Sequence, residues 1–148
     1  MKTTITITII SVLVCVLLAF PAPVQATIPV PLMIEADLYM TGANSAAGSF
    51  TASSLFTDAG AASEEFFTAD GTIHGVKTLV STPGSITIKF QAQMTWTSAT
   101  TGFAKGRFVI ISGTGAYKNL HGVGETYAKI DLAAYHILAS YTGTGHFN

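Results

Sequence analysis

From Ser85 to Thr97 the chain reads SITIKFQAQMTWT, and its side chains alternate without a break. Ile86, Ile88, Phe90, Ala92, Met94 and Trp96 fall on one parity, and Thr87, Lys89, Gln91, Gln93, Thr95 and Thr97 on the other. A helix would scatter both sets around its axis, whereas a strand sorts them onto two faces. The segment is therefore a strand with an apolar and a polar face. At ~3.3 Å per residue it would run ~43 Å, a length that predicts a bend or bulge.

Other segments repeat the pattern. Near the C-terminus Tyr135, Ile137, Ala139, Tyr141 and Phe147 share one parity, and His136, Ser140, Thr142, Thr144 and His146 the other, with Leu138 the exception. In ETYAKID (125–131), Glu125, Tyr127, Lys129 and Asp131 lie on one side. Further strand candidates are 30–40, 48–57, 62–69, 73–81 and 101–112, separated by the turn signals TGANSAAG, DAGA, ADGT, TPGS and SGTG. No stretch carries apolar residues at helical spacing. About eight short strands without helices predict an all-β domain, either an antiparallel barrel or a sandwich. A closed barrel hides every strand edge, which suits a chain this rich in β-formers.

The first 26 residues stand apart. Lys2 is followed by an apolar stretch from Ile5 to Phe20, then Pro21, Pro23 and the small-residue end of VQA. This is the layout of a secretory signal peptide, cleaved after Ala26, and it predicts a secreted or periplasmic protein without stable membrane insertion. The expected domain is 27–148. Lys2 is the only charged residue of the leader, so the exported part carries net charge −2, with no basic patch for nucleic acid. The single cysteine, Cys15, leaves with the leader, which removes disulfides and thiol chemistry.

SGTGAYKNLHGVGE (112–125) invites a phosphate-loop reading and does not meet it. No Gly-Lys-Ser/Thr follows Gly115, the third glycine of a dinucleotide fingerprint is replaced by Lys118, and the next segment alternates as a strand. The better reading is a chain reversal: Gly113 and Gly115 turn the backbone, AYKNL makes one 3₁₀-like turn anchored by Tyr117 and Leu120, and HGVG re-enters the sheet. With its leading strand, GRFVIISGTGAYKNLHGVGE resembles the allene-oxide-cyclase and dirigent barrel superfamily, closest to uncharacterised bacterial secreted members. The likeness extends loosely to FTADGTIHG (67–75) and YTGTGHF (141–147). It implies a single eight-stranded antiparallel barrel with a central apolar cavity, cofactor-independent chemistry where there is any, and association into homo-oligomers. The catalytic carboxylate, arginine and tyrosine sets of the named enzymes have no matching motifs here, so their activities are not carried over.

Candidates for function follow from parity and position. Glu64 and Glu65 are adjacent, so on a strand they face opposite ways; two surface charges is the favoured reading, because ionised Glu is rarely buried. His74 and Lys77 have opposite parity on one strand. Lys105 and Arg107 share a face with Phe103 and Val109. Arg107, Tyr117 and Glu125 are the candidates for catalysis, and Phe90, Trp96, Tyr117, Tyr127 and Tyr141 for ligand binding. His136 and His146 would lie ~33 Å apart on one strand, no His pair has i, i+2 spacing and no cysteine remains in the exported part, so no metal is expected; that no cofactor is expected is what the resemblance implies. The leading expectation is a barrel that binds a small apolar or phenolic molecule. A cofactor-independent cyclase or isomerase, and a structural barrel filled by side chains, are the alternatives.

Overall fold

The computed structural model describes residues 28–148; the expected signal peptide at 1–26 lies outside the described residues. Eight strands follow one another: β1 (Val30–Gly42), β2 (Ser45–Ser54), β3 (Asp58–Ala69), β4 (Thr72–Val80), β5 (Ser85–Trp96), β6 (Thr101–Gly113), β7 (Leu120–Asp131) and β8 (His136–Phe147). Each pairs antiparallel with its sequence neighbour, and β1 pairs with β8 to close the barrel. A 3₁₀ turn at Gly115–Tyr117 lies between β6 and β7.

The alternation of each strand sets its faces. Leu32, Ile34, Ala36 and Leu38 of β1 point inward, as do Ile86, Ile88, Phe90 and Ala92 of β5 and Ile137, Ala139 and Tyr141 of β8. The opposite parity builds an outer wall that includes exposed Glu35, Lys89, Gln91, Lys105, Arg107, Glu125 and Lys129. Charged residues and exposed apolar ones such as Val76, Val109, Val123 and Leu138 are interspersed on that wall.

The irregularity expected in the long strand falls on its neighbour: Thr87 pairs with Ser112 but Ile88 with Ile110, so Ile111 of β6 is the extra residue of a bulge and projects outward. Asp70 and Gly71, both with positive φ, make the two-residue turn from β3 to β4. DAGA, expected as a turn, instead opens β3, and the chain reverses just before it, at 55–57. Gly60 suits this strand because a Cβ there would sit 2.2 Å from the Val80 carbonyl oxygen, so only glycine admits the neighbouring backbone.

The two ends differ. One carries the 55–57, 81–84 and 114–119 connections and is filled by Leu32, Phe50, Leu79, Ile86, Ile110 and Leu120. The other carries the 43–44, 70–71, 97–100 and 132–135 connections, and there the interior is not filled.

Candidate functional site

Six residues back from Asp70 and six forward from Gly71, the hairpin sets Glu64 directly opposite Lys77. Both have inward parity. Lys77 Nζ lies 2.8 Å from Glu64 Oε2, with the side chains 0% and 5% exposed. Glu64 is thus the inward member of its pair, and the surface reading of both glutamates is corrected. Burial of an ionised carboxylate is tolerable here because an opposite charge faces it across the ladder. The contact is close but poorly directed, so the ammonium has no well-aligned hydrogen-bond acceptor. Burial pushes the Lys77 ammonium down in pKa, and Glu64 opposes that shift.

The far wall completes the layer. Lys77 Nζ sits 5.2 Å from the centre of the Tyr141 ring, and Phe90 and Phe108 pack edge-on against the same ring. Thr126 on β7 is the cross-strand partner of Tyr141. Burial first, and then the Glu64 charge, raise the Tyr141 hydroxyl well above its ordinary pKa, with Thr126 opposing. The phenol therefore stays protonated and remains a hydrogen-bond donor.

Above this layer lies a cavity of about 280 Å³. Phe66, Ile73, Phe90, Met94, Trp96 and Ile137 supply its apolar wall, while Glu64, Thr126 and Tyr141 reach it from the floor. Trp96 stands at the rim, 51% exposed.

Of the five aromatic residues named from sequence, Phe90, Trp96 and Tyr141 line this cavity. Tyr117 lies at the filled end, packed on Phe56 and donating its hydroxyl to Asp58. Tyr127 is on the outer wall, stacked on Phe103, with Lys105 Nζ 5.6 Å from its ring centre. Arg107 and Glu125 face each other across β6 and β7 on the same outer wall. The barrel therefore brings none of Arg107, Tyr117 and Glu125 to the cavity. Their parity is opposite to that of Phe108 and Thr126, or, for Tyr117, the wrong end of the barrel intervenes.

Glu64 and Lys77 were the missed residues. The signal was present: Lys77 is in phase with Ile73 and Leu79, Glu64 with Ala62 and Phe66, and a tight Asp-Gly turn sets the register.

The filled end has its own polar cluster. Asp58 accepts from the Ser81 hydroxyl at 2.5 Å, from the Ala59 amide at 2.8 Å and from Tyr117. Partial burial would raise the Asp58 pKa, but the hydrogen bonds from Ser81, Tyr117 and Ala59 together hold it below the ordinary value. Burial and the Asp58 carboxylate push Tyr117 up to about 12. On the outer wall His136 lies 2.7 Å from Asp37, and His121 stacks on His146. Among the described residues, no three His, Cys, Asp or Glu side chains are grouped to hold a metal ion. No family model, curated protein or solved structure matches the chain.

Proposed function

We propose that this barrel binds a small, largely apolar molecule, and that it does so as an exported protein. The observation that carries this reading is the cavity: it has an apolar wall and a few convergent polar groups, and it lies at one end of a barrel plugged at the other. Pockets that hold small ligands have this character. Its volume, about 280 Å³, is near the lower end of the ~300–1,000 Å³ range of such pockets. That suits a single ring or a short chain. A barrel kept only for structure would gain from filling this space, since voids forfeit packing.

Native mass spectrometry of the exported protein tests the reading. A reproducible small-molecule adduct is expected, lost on unfolding. Repeated absence of an adduct, with no thermal shift across a panel of small lipids and phenols, would refute it.

A second reading is favoured by one observation, the inward Glu64. A carboxylate beside a lysine and a protonated tyrosine can exchange protons with an occupant, as a cofactor-independent isomerase or cyclase requires. The resemblance of 101–125 to the allene-oxide-cyclase and dirigent barrels adds only an analogy of fold. Turnover abolished by Glu64→Gln with occupancy retained would separate catalysis from binding.

A further inference from the structure

The cavity presents its charges unequally. Lys, Arg and His are all missing from its lining. Among the described residues the one interior cation, Lys77, is fully buried and lies against Glu64 Oε2. Glu64 does line the cavity, and among the described residues it is the one charged side chain that does. A carboxylate can only accept hydrogen bonds. Oε2 is the oxygen against Lys77, which leaves Oε1 as the acceptor proposed for an occupant. Across the floor stand Tyr141, whose hydroxyl donates, and Thr126, whose hydroxyl does both.

We infer that the cavity selects a neutral hydroxyl-bearing apolar molecule over the carboxylate, ammonium or hydrocarbon of the same shape. This deepens the ligand-binding reading and rests on it. A hydroxyl is donor and acceptor at once. It gives its proton to Glu64 and takes one from Tyr141 or Thr126, matching both characters of the floor. A carboxylate and an ammonium would each surrender water on entering; the carboxylate would find no free cation, because Lys77 is buried against Glu64, and the ammonium would find a carboxylate that already has its counter-charge. A hydrocarbon would displace water from the polar floor and return no hydrogen bond, leaving donor and acceptor unpaired.

The test compares octan-1-ol, octanoate, octylamine and octane at neutral pH with the purified full-length exported protein. The readouts are calorimetry and the fluorescence of Trp96, the only tryptophan in the chain and a rim residue. Octan-1-ol should bind at least about tenfold more tightly than each of the other three, the effect of one well-placed hydrogen bond between buried groups. Octanoate, octylamine or octane binding as tightly as the alcohol would overturn the inference and leave the binding reading standing. If none of the four binds, both fail.

Two variants locate the selectivity. Tyr141→Phe keeps the ion pair and the ring; it should weaken octan-1-ol severalfold and leave octane unchanged. The double variant Glu64→Gln with Lys77→Met removes both charges together, so that neither is left buried alone. It should narrow the gap between alcohol and octanoate. An unchanged gap in that variant would overturn the role given to Glu64.

Discussion

Two carboxylates sit six residues apart on the inward face of β3, and they are used in opposite ways. Asp58, at the filled end, is surrounded by donors: the Ser81 hydroxyl, the Tyr117 hydroxyl and the Ala59 amide. Glu64, at mid-barrel, has one charged neighbour at a short but poorly directed contact, and it borders empty space. Each has a tyrosine close by. What separates them is satisfaction. A carboxylate whose hydrogen-bonding capacity is met locally ties loops together, whereas one with capacity to spare beside a cavity is available to an occupant.

The largest effect should come from separating the mid-barrel pair. Lys77→Met leaves Glu64 buried without its counter-charge and should destabilise the fold by ~3–5 kcal/mol. Glu64→Leu combined with Lys77→Met should recover all of that loss, or exceed the wild type by ~1–4 kcal/mol. Urea denaturation midpoints measure both. A double variant as unstable as the single one would mean that the pair holds the barrel together as Asp58 holds its loops.

Next is the filled end. Asp58→Ala strands the Ser81 and Tyr117 hydroxyls and should cost ~1–3 kcal/mol, with no change in cavity binding. A loss of ligand affinity in this variant would erase the distinction between the two carboxylates.

The pH dependence of melting sharpens it further. Asp58 has a lowered pKa in the fold, so its contribution is present above the ordinary value of 3.8 and is lost as pH falls through the lower folded value. Tyr117 is raised from 10.0 to about 12, so its contribution is complete below pH 10 and is lost as pH rises toward 12. Tyr117→Phe should make the alkaline fall between those limits shallower, with the raised Tyr141 supplying the remainder. A fall of unchanged slope in the variant would assign the Tyr117 share to another group.

The smallest effect belongs to the outer wall. Arg107→Ala and Glu125→Ala should each shift stability by no more than ~0.5 kcal/mol and leave binding unchanged.

Faces were legible wherever one parity is uniformly apolar. Ile86 through Trp96 and Ile137 through Tyr141 could be placed together because burial of one face dictates the alternation. The turn at Asp70–Gly71 was legible for its φ values, and the reversal after Ser112 for its glycines. DAGA misled, because a glycine two residues after an aspartate looks alike in a turn and in a strand crowded by its neighbour. Glu64 was hidden by the preference of charged groups for water. That preference is overruled only when a partner such as Lys77 stands directly opposite, a fact of register rather than of local composition. Which end would be filled was illegible, since it depends on how Phe56 of one connection meets Tyr117 of another and Leu120 at the start of β7.

The seam between β1 and β8 carries a consequence for how the chain reaches this state. Every other pairing joins neighbours along the sequence, but Val30 meets Gly145 only after nearly the whole described chain has been laid down. Local hairpins form quickly, and long-range closure is slow. During synthesis, β1 therefore waits with an unpaired edge until β8 arrives. In that interval the chain is an open curled sheet, able to pair with the wrong strand or with another copy. Helpers or proteases that recognise such edges would act before the seam closes.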